Sequence, residues 1–198
     1  MKLHRFYPIF ENAEWLGRAL PLGVKFVQLR VKNQPSDIVL AQVRAAKSLC
    51  DAHGAQLVVN DHWQEAIKVG CDWVHLGQED LVLADISAIR AAGIRIGIST
   101  HDYVELDRAM ALDPDYVALG PIYPTILKKM KWHQQGLEKL TEWKLLIGNI
   151  PLVAIGGMTV ERAADAFSAG ADCVSAVTDI TLNDDPDARI RHWLEQVE

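Results

Sequence analysis

The sequence is poor in cysteine, lacks a long apolar segment and has no surplus of basic residues. Its three cysteines, Cys50, Cys71 and Cys173, are an odd number without the spacing of metal ligands, so we expect buried free thiols and a reducing cytoplasm. No stretch approaches the roughly 20 apolar residues of a membrane span. The formal net charge of −6 argues against general binding to nucleic acid or to a membrane surface. An anionic small-molecule substrate remains open, because such a ligand needs only a local cluster of cations.

What the sequence does have is the composition of an ordinary globular protein. Of its 198 residues, 49% are hydrophobic and 23% are charged, which is enough apolar material for one well-buried core. We therefore expect a single domain over residues 1–198. The sequence does not determine the oligomeric state, and a homodimer is an open alternative.

A strand–helix–strand unit lies between Gln56 and Asp80. Two short apolar runs, Gln56–Val59 and Trp73–Leu76, flank a segment with helical spacing, and each run ends in polar residues. Parallel strands bind ligands at their carboxyl ends, so we expect Asp61 and Asp80 to face each other at that edge. Neighbouring carboxylates there either bind a divalent cation or share a proton.

This unit recurs along the chain. Eight strand candidates alternate with helical patterns, and the segments GCDWVHLG, DPDYVALG and GADCVSAV share one order of turn, Asp and apolar residues. Eight such units predict a closed (β/α)8 barrel, with an open doubly wound sheet as the main alternative. Pro8 lacks a backbone donor and is expected at a strand end or bulge. The long basic segment from Ile122 to Gly136 is typical of a functional or mobile loop.

In such a barrel, the residues just past each strand point at one shared mouth. These residues are Gln28, Arg30, Lys32, Asn60, Asp61, Asp80, Ser99, His101, Thr125, Lys128, Gly156, Gly157, Val177 and Thr178. Arg30, Lys32 and Lys128 are suited to clamping phosphate oxygens. The two aspartates are suited to Mg²⁺, which takes one or two carboxylates and leaves positions for substrate phosphates. The loops after the last two strands match the usual phosphate site of this fold.

Each assignment also has a structural alternative. Asp61 precedes a helical segment and could cap it, and Gly156-Gly157 could end a strand for steric reasons. His75 lies inside a strand and is interpreted as a satisfied barrel residue, whereas His101 could serve as a cap or as a base. The convergence of many polar residues on one edge favours a ligand site.

Several motifs, in chain order, resemble those of the thiamine phosphate synthase family. They are QLRVK, VVNDHWQEAIKVGCDWVHLGQEDL, GISTH, ALGPIYPT followed by Lys128, VAIGGM and SAVTDI. The resemblance runs from Phe6 to about Ile180. It implies a TIM-barrel enzyme that joins hydroxymethylpyrimidine diphosphate to thiazole phosphate, releases diphosphate and requires Mg²⁺.

The resemblance also implies a role for each matched residue. It assigns the pyrimidine diphosphate to Gln28, Arg30, Lys32, Asn60, Ser99 and Lys128. Among these, Arg30, Ser99 and Lys128 are the expected catalytic residues. It assigns Mg²⁺ to Asp61 and Asp80, and it assigns the thiazole phosphate to Thr125, Gly157, Val177 and Thr178.

Two residues depart from the family pattern. Leu127 replaces a threonine of the family motif, and Asp179 adds a negative charge near the expected phosphate site. If both face the ligand, each lost interaction costs about 1.5–3 kcal/mol, or roughly ten- to a hundredfold in binding. These departures keep open a paralogue that binds thiazole or thiamine phosphates as a regulator.

A thiazole tautomerase-like relative is the other alternative. Pro121 stands where that activity is associated with a histidine, which counts against it. His101 or His133 could take over that role. Release of diphosphate from the two substrates distinguishes the synthase from both alternatives.

Overall fold

The computed structural model describes residues 2–125 and 133–197, whose strands form one closed parallel barrel in chain order. The strands are β1 (Phe6–Phe10), β2 (Phe26–Leu29), β3 (Gln56–Asn60), β4 (Trp73–Leu76), β5 (Arg95–Thr100), β6 (Tyr116–Leu119), β7 (Leu152–Ile155) and β8 (Cys173–Ala176). The ring closes where β8 pairs with β1. The predicted (β/α)8 TIM barrel is confirmed.

Helices follow the strands around the outside of the barrel. They are α1 (Ala13–Ala19), α2 (Ser36–His53), α3 (Trp63–Val69), α4 (Gln78–Leu81), α5 (Ile86–Ala91), α6 (Tyr103–Met110), α7 (Gly136–Ile147), α8 (Val160–Ser168), α9 (Thr178–Thr181) and α10 (Pro186–Val197). The short helices α4 and α9 follow β4 and β8 directly, so they lie at the carboxyl edge of the barrel. No described helix has the length and apolar character needed to cross a bilayer.

Side-chain caps begin two of the helices. The Asp102 carboxylate accepts the backbone N–H of Glu105 at 2.8 Å and begins α6. Asn12 begins α1 in the same way by accepting the N–H of Trp15 at 3.0 Å. Such caps satisfy donors that the first helical turn leaves free.

The interior of the barrel is a packed aromatic core rather than a channel. Tyr7, Phe26, Trp73 and Tyr116 lie within it and are at most 1% exposed. Phe26 packs edge-on against Trp73, with ring centroids 5.5 Å apart. Within the described residues the interior is therefore filled, and we expect a ligand site at the rim, where the polar ends of the strands lie.

The three cysteines are buried and unpaired, which confirms the prediction of free thiols. Burial raises the pKa of Cys50 and of Cys71 to about 12, so both stay protonated. Pro8 differs from expectation, because it lies inside β1 rather than at its end. Pro8 is the last β1 residue that pairs with β8, and pairing with β2 starts at Ile9. Pro8 therefore lies where β1 switches from pairing with one neighbouring strand to pairing with the other.

Candidate functional site

The predicted site residues that the structure describes lie at or just beyond the carboxyl ends of the strands. Three of them lie within strands: Gln28 in β2, Asn60 in β3 and Ser99 in β5. Asp80 lies in α4, directly after β4. The others follow a strand: Arg30 and Lys32 follow β2, Asp61 follows β3, Thr125 follows β6, Gly157 follows β7, and Val177 and Thr178 follow β8. Leu127 and Lys128 lie outside the described residues. The barrel thus brings these segments to one mouth, as the sequence predicts.

The Asp61 carboxylate is the centre of this mouth. It accepts hydrogen bonds from the Lys32 ammonium and from the Asn60 side-chain amide. The Asp61 backbone N–H donates to the carbonyl of His75 at 2.9 Å, in the left-handed conformation with φ +61°. Helix α3 has His62 at its N-cap and no side-chain cap, so the alternative role of Asp61 as a cap is not realised.

Asp61 and Asp80 share a hydrogen bond, and their pKa values move apart. Burial alone would raise the pKa of Asp61, but the hydrogen bond and charge of Lys32 outweigh it and hold this pKa below its usual range. Burial and the charge of Asp61 raise the pKa of Asp80. One carboxylate is therefore firmly ionised while the other attracts a proton, which is the electrostatic setting in which a cation is favoured between them.

The donor set of this pair suits Mg²⁺. No cluster of three or more His, Cys, Asp or Glu with metal-binding geometry occurs within residues 2–125 and 133–197. Asp61 and Asp80 would therefore supply two carboxylates, and the remaining ligands would come from substrate and water, as Mg²⁺ commonly accepts. Gly77 makes room for this arrangement, since a Cβ at that position would lie 2.9 Å from Asp80 Oδ2.

Positive charge lies beside the acidic pair. Lys32 has 41% of its side chain exposed, and Arg30 is anchored through its backbone N–H, 2.7 Å from the carbonyl of Phe10. The neighbouring His75 is neutral at pH 7, because burial lowers its pKa to about 4. The charges of Arg30 and Lys32 add to this lowering of the His75 pKa, and Lys32 also contacts Asp61 directly.

A buried chain of hydrogen bonds connects two predicted substrate residues through the barrel interior. The His75 ring nitrogens lie 2.7 Å from Ser99 Oγ and 2.8 Å from the Tyr116 hydroxyl. Tyr116 contacts the Tyr7 hydroxyl at 2.9 Å, and Gln28 Nε2 donates to Tyr7 at 2.6 Å. The interpretation of His75 as a satisfied barrel residue is confirmed. Sequence reasoning missed both tyrosines, although the alternation of strand residues between two faces was a signal for them.

The opposite side of the mouth is built from the loops after β6 and β7. The N–H of Tyr123 donates to the Gly156 carbonyl at 3.0 Å. A Cβ at Gly157 would lie 2.4 Å from the carbonyl oxygen of Pro124, so the two loops approach closely only because glycine is present. This contact brings the loop after β6 next to the loop after β7.

Arg162 fastens these two loops together. Its guanidinium donates to the Gly157 carbonyl and lies 4.4 Å from the centroid of the Tyr123 ring. The sequence shows Arg162 only as an unusual residue in the first turn of α8, and no local pattern would have predicted these contacts.

Asp179 does not present a free charge to the mouth. Its two carboxylate oxygens accept hydrogen bonds from Arg189 at 2.7 and 2.8 Å, and one of them also accepts the indole N–H of Trp193 at 2.7 Å. Arg189 also pairs with Glu161 at 2.8 Å. The condition for that expectation, a free Asp179 charge facing the ligand, is therefore not met, because Arg189 and Trp193 of α10 bind both carboxylate oxygens. The effect of Asp179 on phosphate binding stays a prediction.

The two histidines whose roles were open occupy different settings. His101 Nδ1 lies 2.7 Å from the Glu105 carboxylate, and the cap position belongs to its neighbour Asp102. His133 is exposed just ahead of α7. Neither position resembles that of His75, which lies between two hydroxyl groups at the top of the interior.

Comparisons with known proteins agree on one family. The family model described as thiamine monophosphate synthase matches residues 7–180. A thiamine-phosphate synthase of Rhizobium etli is 55% identical over 194 residues, covering 98% of this chain and 95% of that protein. One of Neisseria meningitidis serogroup B is 41% identical over 187 residues, covering 94% and 91%. The solved thiamine phosphate pyrophosphorylase from Pyrococcus furiosus has a TM-score of 0.86 and 26% identity, covering 98% and 95%.

Proposed function

Because the chain belongs to the thiamine monophosphate synthase family, we propose that it makes thiamine phosphate from a pyrimidine diphosphate and a thiazole phosphate. The chain is an enzyme, as are its relatives, which are named thiamine-phosphate synthase. The substrates are 4-amino-2-methyl-5-hydroxymethylpyrimidine diphosphate and 4-methyl-5-hydroxyethylthiazole phosphate, and the second product is diphosphate. The observation that carries this proposal is the joining of Lys32, Asn60, Asp61 and Asp80 at the mouth.

The diphosphate group binds on the side of the mouth where charges of both signs meet. Arg30 binds its oxygens through bidentate hydrogen bonds, and Lys32 attracts them as a point charge. Mg²⁺, held by Asp61 and Asp80, would neutralise charge on the leaving diphosphate. Lys128 belongs to the same group through the family resemblance alone, since it lies outside the described residues.

The thiazole phosphate binds on the other side, near the loops after β6, β7 and β8. Thr125 offers a hydroxyl, and Gly157 holds its backbone in a left-handed conformation, φ +64°, that leaves no side chain in the way. Thr178 begins α9, whose first backbone N–H groups have no partner within the helix. Val177 precedes it and forms the apolar wall beside this pocket.

The reaction is dissociative and requires no protein nucleophile. The bond between the pyrimidine methylene carbon and the diphosphate oxygen breaks, and its electron pair leaves with diphosphate. The resulting pyrimidine methyl cation is attacked by the thiazole nitrogen, which forms the new carbon–nitrogen bond. Arg30 and Lys32 stabilise charge as it develops on the leaving oxygens, and Ser99 holds the substrate in register.

The two alternatives have less support. The tautomerase alternative relies on His101 or His133, and His101 is hydrogen-bonded to Glu105. The regulator alternative relied on two departures from the family pattern, and one of these, Asp179, is paired with Arg189. We also propose a reducing cytoplasm, because three buried thiols remain unpaired. A homodimer remains a proposal that sedimentation can test.

A coupled assay tests this function. The chain is supplied with both substrates and Mg²⁺, and thiamine phosphate and diphosphate are quantified together. Equal amounts of the two products are expected, with loss of both when Mg²⁺ is chelated. A parallel assay of Leu127→Thr tests whether the missing hydroxyl limits the thiazole phosphate KM. Absence of both products from wild type and variant would refute the proposal.

A further inference from the structure

Five side chains on five different strands form one unbroken series of hydrogen bonds below the mouth. The series runs from Gln28 through Tyr7, Tyr116 and His75 to Ser99, with each link between 2.6 and 2.9 Å. Apart from Ser99, its members are at most 6% exposed. Water cannot therefore replace a missing partner within the series, and the orientation of the Gln28 amide sets the direction in which the hydrogens point.

With the Gln28 amide oriented as it is in the structure, one direction satisfies every member. Gln28 Nε2 donates to Tyr7, so the Tyr7 hydrogen must go to Tyr116. The Tyr116 hydrogen then goes to His75 Nδ1, and the imidazole carries its own hydrogen on Nε2 and donates it to Ser99. In the reverse direction this amide orientation would make Tyr7 accept twice, at a cost of about 1–3 kcal/mol. Only a flipped Gln28 amide, accepting from Tyr7 through its oxygen, would fit the reverse direction, with hydrogen on His75 Nδ1.

The packing around the series holds it in this arrangement. A Cβ at Gly97 would lie only 1.9 Å from Cζ of the Tyr116 ring, so glycine at this position of β5 leaves the space that the ring fills. The rings of Tyr116 and His75 are stacked, with centroids 5.6 Å apart and planes 16° from parallel. Burial also raises the pKa of both tyrosines, so each keeps the hydrogen that it donates.

We propose that Tyr7, Tyr116 and His75 are positioning residues. They determine that Ser99 offers a hydrogen-bond donor to the substrate and that Gln28 offers an acceptor. Because His75 donates to Ser99 Oγ, the Ser99 hydroxyl hydrogen is free to point into the mouth. Because the Gln28 amide nitrogen is held by Tyr7, the amide oxygen is the group left for the ligand. The mouth thus offers one donor and one acceptor of set orientation. This inference rests on the proposed function in so far as the ligand is the pyrimidine diphosphate.

The tautomer of His75 tests the inference without any substrate. In protein labelled with ¹⁵N-histidine, the His75 signals are assigned by their loss in His75→Gln. We expect hydrogen on Nε2 and an unprotonated Nδ1 that accepts a hydrogen bond, and the Nδ1 signal should shift when Tyr116→Phe removes the donor. Hydrogen on Nδ1 in the wild-type protein would overturn the inference whatever the activity, even if Tyr116→Phe failed to fold.

Kinetics test whether Tyr116 acts through Ser99. Tyr116→Phe keeps the ring and should lower kcat/KM for the pyrimidine diphosphate roughly three- to tenfold, while KM for the thiazole phosphate stays unchanged. In a Ser99→Ala background the same substitution should cost at least threefold less, because its target is gone. Strictly additive losses would contradict a positioning role.

The control for these kinetics is Tyr103→Phe, which removes the hydroxyl of an exposed tyrosine that bonds Glu142. It should leave the His75 signals and both KM values unchanged, and an equal effect of the two substitutions would count against the inference. If the wild-type chain releases no diphosphate, the proposed function fails, while the tautomer measurement still decides the inference.

Discussion

At the scale of one residue, the binding-site carboxylate of Asp80 lowers the free energy of unfolding. Its pKa is raised by burial and by Asp61, so its ionised form is less favourable in the folded chain than in the unfolded chain. The folded state is therefore favoured below the unfolded pKa, and this advantage is lost as the pH rises through the raised pKa. At neutral pH, without a cation, the residue destabilises the fold.

Asp80→Asn should therefore raise the melting temperature at pH 7 without Mg²⁺ and abolish Mg²⁺-dependent activity. The expected gain is about 0.2–1 kcal/mol, because the carboxylate remains partly solvated. Glu79→Gln makes the same change of net charge on α4 and should raise the melting temperature less, because Glu79 is the smallest of the causes that raise the Asp80 pKa, and it should leave Mg²⁺-dependent activity unchanged. A lower melting temperature for Asp80→Asn in calorimetry would contradict the assigned electrostatics.

Asp179→Ala should destabilise the protein and leave the affinity for thiazole phosphate unimproved. The substitution removes the partner of the buried Trp193 indole and one of two partners of Arg189, at about 1–3 kcal/mol. Glu161→Ala is the matched control, because it pairs with the same Arg189 but has 64% of its side chain exposed, and should cost at most about 1 kcal/mol. A tighter KM in Asp179→Ala would restore the view that this charge faces the ligand.

Lys128→Ala should lower kcat far more than it raises KM for the pyrimidine diphosphate. The family resemblance gives Lys128 a contact to that substrate, and a cation that meets the leaving oxygen stabilises the transition state more than the ground state. Steady-state kinetics measure both constants, and Lys129→Ala is the control for loss of charge in the same segment. Unchanged turnover in Lys128→Ala would refute the role.

At the scale of elements, the site depends on loops that approach one another through glycine. Gly157 combines a left-handed backbone with a close contact to the carbonyl of Pro124, and its own carbonyl accepts a hydrogen bond from Arg162. Both the left-handed backbone and the close approach are requirements of the loop that contains Gly157, not of a strand or a helix. Changes here should therefore affect ligand binding without opening the barrel.

Gly157→Ala should raise the KM for thiazole phosphate about tenfold or more, because the added Cβ must push the loop after β6 away. Gly54→Ala is a close control, since Gly54 has a similar φ of +60° and nothing within 4 Å of the added atom. Both variants should lose about 1–2 kcal/mol of stability to the strained backbone. Equal KM values in the two variants would show that the contact does not shape the site.

The sequence predicted the regular elements and not the exceptional ones, for physical reasons. Strands and longer helices have a periodicity that several residues repeat, which is why the recurring unit around Asp61 was recognisable. Helices α4 and α9 each contain four residues, too few to show a period. Pro8 lies inside β1 because pairing changes from one neighbouring strand to the other at that residue, and this depends on register rather than composition.

At the scale of the whole molecule, closure of the barrel is what assembles the site. The rule that strand ends meet at one edge was enough to predict that Lys32, Asp61 and Asp80 lie together. It could not predict contacts between side chains on distant strands, such as Tyr7 with Tyr116, which are 109 residues apart. Nor could it predict that Arg189 on the last helix would neutralise Asp179. These pairs depend on the relative heights and rotations of elements, which no local pattern encodes.

The central proposal is that the mouth binds a diphosphate together with Mg²⁺ through Lys32, Asp61 and Asp80. Titration calorimetry of inorganic diphosphate, with and without Mg²⁺, tests this claim most directly. We predict binding that is at least tenfold tighter with Mg²⁺ in the wild-type protein, and no such difference in Asp80→Asn. Equal affinity with and without Mg²⁺ in the wild-type protein would contradict the account.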